Sequence, residues 1–100
     1  MGSYKVRILS VAQEDMREIV AYVNTLSPSA ALCLYDEIVE GIGSLADMPL
    51  RCALLKTPEL RAKGYRALQV KNYTVFYVVL YDTVQIRRIL YSKRQFVSLL

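Results

Sequence analysis

The sequence predicts an α+β fold of order β-α-α-β-β-β: a helical hairpin packed on one face of a mainly antiparallel four-stranded sheet, with a short C-terminal element. Two observations carry most of that prediction. Residues 10–45 hold two consecutive apolar stripes at helical spacing, divided by Ser27-Pro28. Residues 65–91 hold three β-branched and aromatic runs, separated by pairs of turn-forming residues. One hundred residues suffice for a single domain, 1–100, with one core.

The first strand is Tyr4–Leu9, where Tyr4, Val6 and Ile8 alternate with Lys5 and Arg7. Ser10 and Gln13 read as a capping box, and Glu14 and Asp15 favour a first helical turn. Ala12, Met16, Ile19, Val23 and Leu26 then form a core-facing stripe, and the helix should stop near Asn24–Leu26. Ser27 as N-cap and Pro28 at the first helical position start the second helix. Its stripe is Ala31, Leu34, Ile38, Ile42 and Leu45, with Asp36, Glu37 and Glu40 outside it. Gly41 and Gly43 each cost this helix about 1 kcal/mol, for which close packing is the expected reason.

Residues 47–63, "DMPLRCALLKTPELRAK", lack a sustained period and read as a long surface connection with a short turn at Pro58-Glu59-Leu60. The strands that follow are Tyr65–Val70, Tyr73–Leu80 and Val84–Tyr91, with Lys71-Asn72 and Asp82-Thr83 at the turns. "YTVFYVVLY" suits a central strand covered on both faces. Phe96, Leu99 and Leu100 are expected to pack a C-terminal helix or tail back on the sheet. The position of the first strand beside the meander is left open.

The composition, 54% apolar and 22% charged, is that of a globular chain. It contains no apolar run of the roughly 18 residues that a membrane helix needs. The first residues carry no apolar leader, and Met1–Ser3 read as a cloning remnant, so a cytoplasmic protein without a membrane partner is expected. Cys33 and Cys52 match no metal-ligand spacing and read as free thiols. The absence of histidine removes the commonest general base and metal ligand, so neither a metal nor a cofactor is expected. The helical acids read as solvated surface.

Charge is sharply segregated. Residues 1–50 carry three cations and seven anions, whereas residues 51–100 carry ten cations and two anions. Such a basic half points to a polyanion or an acidic partner peptide. In "QIRRILYSKR", residues 85–94, strand alternation places Arg87 and Arg88 on opposite faces, with the inward one reaching solvent or pairing with a helix carboxylate. Tyr73, Tyr77, Tyr81 and Tyr91 are either packing residues or stacking platforms for bases.

Three segments carry a resemblance: Gly64-Tyr65-Arg66, Asn72-Tyr73-x-Val75-Phe76-Tyr77 and Arg88-Ile89-Leu90-Tyr91-x-x-Arg94. Together with the "MP…PELR" connection they resemble the RelE/ParE superfamily, the toxins of type II toxin–antitoxin modules, over nearly the whole chain. The resemblance implies a growth inhibitor neutralised by a cognate antitoxin. It also implies one of two targets: DNA gyrase in ParE-like members, or the ribosome with mRNA in RelE-like endoribonucleases. A catalytically inert antitoxin-binding module is the third reading.

Arg94 matches the superfamily's arginine after the last strand, and Arg66 falls near a basic position of the first meander strand. If the chain is a ribonuclease, the resemblance makes Arg66 and Arg94 catalytic, with Lys93 beside them. Otherwise Arg66, Lys71, Arg88, Tyr91, Lys93 and Arg94 are expected to bind target or antitoxin. Thr74 stands where ribonuclease members have an arginine, Leu68 where they have a second cation, and Leu100 where a late tyrosine is expected. The resemblance is therefore closer to the ParE-like branch, which is not enzymatic.

Overall fold

A computed structural model describes residues 3–100; of the cloning remnant expected at Met1–Ser3, Met1 and Gly2 lie outside the described residues. The elements are β1 (Lys5–Ile8), α1 (Ser10–Leu26), α2 (Pro28–Ser44), α3 (Pro58–Ala62), β2 (Tyr65–Val70), β3 (Tyr73–Leu80) and β4 (Thr83–Tyr91). Single 3-10 turns occur at Pro49–Arg51 and Val97–Leu99. The sheet order is β1-β4-β3-β2, with β1 parallel to β4 and the other pairs antiparallel. No helix among the described residues is long and apolar enough to cross a membrane.

The helical hairpin forms largely as its sequence dictates. Ser27 Oγ accepts from the Ala30 amide at 3.3 Å, so one residue both ends α1 and caps α2. The start of α1 differs from the expected capping box. Leu9 is the cap, Ser10 is already helical, and Gln13 Nε2 reaches back to the Ile8 carbonyl at 3.0 Å. Leu9 is held extended because its amide continues the sheet to the Ile86 carbonyl, which moves the helix boundary by one residue. The stripe of α2 is buried throughout. That of α1 ends early, with Leu26 69% exposed, because the last turn of the helix overhangs the sheet.

Gly41 has the expected reason: a Cβ there would stand 3.1 Å from Val70 Cγ2 and 3.3 Å from Leu68 Cδ2, so α2 lies directly on β2. Gly43 has no such neighbour, and its packing reason fails. The second hairpin turn is Tyr81-Asp82, with Tyr81 at φ 57°, and Thr83 already belongs to β4. This shifts the expected turn by one residue.

The sheet is covered on both faces. Val75, Tyr77, Val84, Ile86 and Ile89 join Ala12, Leu34, Ile38, Ile42 and Leu45 beneath the helices. On the outer face, Tyr65, Phe76, Val78 and Leu90 are covered by Leu60, Leu55 and the tail residues Phe96, Leu99 and Leu100. The connection therefore wraps the β2 edge and is anchored at both ends. At the crossing, Tyr77 Oη donates to the Pro49 carbonyl at 2.6 Å while fully buried.

Burial, followed by a hydrogen bond with Cys52, pushes the Tyr77 hydroxyl far above its ordinary pKa of 10.0. A folded-state pKa raised in this way gives stability that is complete below about pH 10 and lost as the pH climbs beyond it. Tyr77→Phe should cost about 1–2 kcal/mol at neutral pH by orphaning the Pro49 carbonyl. It should also flatten the alkaline decline in the urea midpoint, measured from pH 8 to 11. An unchanged alkaline decline would remove Tyr77 as its source.

Candidate functional site

The register between Phe76 and Tyr77 contains a bulge on β4: Phe76 opposes Arg88 and Tyr77 opposes Ile86, leaving Arg87 without an opposite residue. This overturns the expected alternation of Arg87 and Arg88. Arg87 lies over the Tyr65 ring at 5.7 Å, and Arg88 opposes Phe76, both rings belonging to the outer cluster. The same insertion lets Ile86 and Ile89 share the helix-side core although they are three residues apart.

Beyond Ile86, β1 has ended and the rim of β4 would be bare. Asp15 of α1 fills the gap. Its carboxylate accepts from the Ile89 amide at 3.0 Å, Arg88 Nε at 2.7 Å and Arg88 Nη2 at 2.9 Å. The hydrogen bond to Asp15, opposed by burial, holds the Arg88 guanidinium above its already high ordinary pKa. Asp15 is thus a structural group and not the solvated acid expected from its helical position. Arg88 also donates to the Leu99 carbonyl at 3.3 Å, tying the tail to β4.

Arg66 is likewise engaged. Its Nη1 donates to the Cys52 carbonyl at 2.6 Å, and its backbone bridges to Leu54, so it pins the connection against the β2 edge. Lys71, at φ 51° in the β2–β3 turn, pairs with Glu37 at 3.2 Å. Both ends of that pair are about half exposed, so it contributes little.

Of the cations expected to bind target or antitoxin, Lys93 and Arg94 are the two without a side-chain partner among the described residues, exposed in a turn closed by the Arg94 amide on the Tyr91 carbonyl at 2.9 Å. A polar knot fixes this turn. Gln69 Nε2 donates to Ser92 Oγ at 2.6 Å, Thr74 Oγ1 donates to Gln69 Oε1 at 3.1 Å, and the Thr74 and Ser92 hydroxyls lie 2.9 Å apart. Thr74 is buried within the knot.

The structure gathers Lys71, Tyr91, Lys93 and Arg94 at one end of the sheet, because Val70, Tyr73 and Tyr91 share a cross-strand row there. Arg66 belongs to the Tyr77–Ile86 row, four residues away along β2, or about 13 Å. Arg66 is committed to the Cys52 carbonyl near the start of β2, whereas Arg94 stands past the other end of that strand.

At the gathered end, a groove of about 680 Å³ opens between the helices and the sheet, lined by Tyr22, Leu26, Ala30, Cys33, Tyr73 and Tyr91. The Tyr91 ring meets Tyr73 edge-on at 5.7 Å. Burial, then the nearby Tyr91 and Tyr22, raises the Tyr73 hydroxyl above its ordinary pKa. Tyr22 and Leu26 are over 60% exposed, so the groove offers apolar surface rimmed by cations. Sequence reasoning missed Tyr22, Ala30 and Cys33. The available signal was the large apolar pair Tyr22 and Leu26, one turn apart just before Ser27-Pro28. Both cysteines are free thiols, and no cluster of metal-ligating side chains occurs among the described residues.

No curated protein sequence matches the chain. Among solved structures it is similar to a chain of the chromosomal ParDE toxin–antitoxin system from P. aeruginosa, with a TM-score of 0.74 and 23% identity over 91% of this chain and 98% of that one. It is also similar to a chain of the RelBE2 toxin–antitoxin complex from Mycobacterium tuberculosis, with a TM-score of 0.64 and 24% identity over 91% and 93%. At these identities the two likenesses establish the fold. The family described as the ParE toxin of the type II toxin–antitoxin system, parDE, matches residues 6–96. With nearly the whole chain matched, the protein belongs to the ParE toxin family of type II toxin–antitoxin systems.

Proposed function

We propose that this toxin arrests growth by inhibiting DNA gyrase in the cytoplasm, as a single domain spanning residues 1–100, and that it does not cleave mRNA. The observation that carries this reading is the dispersal of the candidate ribonuclease groups. Arg66 is engaged with the Cys52 carbonyl, and Arg94 lies past the opposite end of the sheet. Thr74, where ribonuclease members carry an arginine, is closed into the Gln69–Ser92 knot. A phosphoryl-transfer site needs cations converging on one phosphate and a base within hydrogen-bond reach. The chain has no histidine to serve as that base.

The antitoxin is the cognate partner of this family of toxins. The groove at the gathered end fits a segment with apolar side chains for Tyr22, Leu26, Tyr73 and Tyr91, and acidic residues for Lys71, Lys93 and Arg94.

Purified chain added to a gyrase reaction should block supercoiling, and addition of the antitoxin should restore it. The same chain in a translating extract should leave mRNA intact. Codon-phased cuts with normal supercoiling would replace this reading by the ribonuclease one. Unimpaired growth on expression without antitoxin would leave only an inert binding module.

A further inference from the structure

Two segments far apart in sequence cover the outer face of the sheet. Residues 55–63 place Leu55 and Leu60 on the outer cluster, and residues 92–100 place Phe96, Leu99 and Leu100 there. Between them these segments carry Lys56, Arg61, Lys63, Lys93 and Arg94 against the single acid Glu59. All five cations are exposed, and among the described residues none has an ion-pair partner. Arg51 is not counted with them, because its guanidinium donates to the Ser44 and Met48 carbonyls at the end of α2. On the other face, α1 and α2 carry Arg17 against six acids. The sheet thus divides a basic layer from an acidic one.

We propose that the outer layer is a contact surface for duplex DNA, gripping the phosphodiester backbone by charge without reading bases. Val97 is the large apolar side chain these segments expose, and Phe96 is stacked on Phe76 at 4.8 Å. The layer therefore lacks the aromatic platforms on which single-stranded bases stack. It also lacks the buried aromatic or aliphatic anchors that dominate protein interfaces. Dispersed, unpaired cations on a shallow surface suit a regular polyanion, and the acidic helices on the far side orient the molecule toward it. The choice of DNA over RNA rests on the gyrase reading; the basic surface itself does not. The apolar groove of Tyr22, Tyr73 and Tyr91 lies outside this layer, and only Lys93 and Arg94 at its rim are common to both surfaces.

The experiment measures anisotropy of a labelled 20-base-pair duplex of arbitrary sequence against the full chain, between about 50 and 200 mM salt. Neutralising about four phosphates predicts a log–log slope near −3.6. Lys56→Glu with Arg61→Glu should weaken binding at least about tenfold and flatten the slope by roughly 2. Arg17→Glu with Ala21→Glu and Asn24→Asp changes net charge equally at exposed positions of α1, on the far side of the sheet, and should weaken binding less than about threefold. Equal losses in the two variants would reduce the effect to net charge and overturn the surface. Preferential binding of a single-stranded RNA of the same length, or no salt-dependent binding at 50 mM, would also overturn it. Unaltered antitoxin affinity in Lys56→Glu/Arg61→Glu verifies the fold. Because gyrase is absent from the assay, failure here is distinct from failure to block supercoiling.

Discussion

Asp15→Ala should lower the unfolding free energy by about 3–5 kcal/mol, a large part of the 5–15 kcal/mol typical of a domain. The substitution leaves the Arg88 guanidinium without its counter-ion and the Ile89 amide without an acceptor. Side-chain exposures of 11% for Asp15 and 17% for Arg88 mean that water cannot fully replace either partner. Glu14→Ala is the contrasting case. Its pair with Arg17 is 49% and 76% exposed on the two sides, so its loss should cost less than about 0.5 kcal/mol. Urea midpoints at constant slope measure both. Asp15→Ala combined with Arg88→Met should recover much of the loss, because the cost lies in the unpaired charge more than in the missing attraction. A single-variant cost below 1 kcal/mol would show the pair to be solvated in solution.

Tyr91→Asp should weaken antitoxin binding by about 30- to 150-fold, the effect of removing an anchor worth roughly 2–3 kcal/mol. The substitution deletes the edge-on contact with Tyr73 and places an anion where the partner's acids are expected. With Tyr91 45% exposed, stability should fall by less than about 1 kcal/mol, so affinity and folding separate cleanly. Arg94→Glu should lower the same affinity by a smaller factor with a strong salt dependence, because a rim charge acts through long-range attraction. Titration calorimetry against the antitoxin measures both variants. Affinities unchanged in both would move the antitoxin off this groove.

The legibility of the site followed the range of the interactions. The common position of Tyr91, Lys93 and Arg94 was readable because they continue one strand, and that of Lys71 because the turn chemistry of Lys71-Asn72 is local. Leu26 was misread as core, since helical periodicity reports a face without reporting where the sheet beneath that face ends. Asp15 was misread for a related reason. On a helical wheel it is an outer acid, and only the premature end of β1 brings a bare strand rim against it. The β4 bulge was invisible as well, because Arg87-Arg88 satisfies a two-residue alternation as well as it satisfies an inserted residue.

By itself the sequence determined the elements and their order. Stripes of period 3.6, the Ser27-Pro28 cap and the β-branched runs are local signals, set by backbone geometry over a few residues. It also determined that the chain is dipolar, with acids early and cations late. Tertiary structure alone decided that β1 lies parallel beside β4, that Asp15 pairs with Arg88, and that residues 55–63 and 92–100 meet on one face. Those outcomes depend on long-range burial. The outer side chains of β3 and β4 must be covered by whatever chain can reach them, and the charges of the covering segments are carried along with their leucines and phenylalanine.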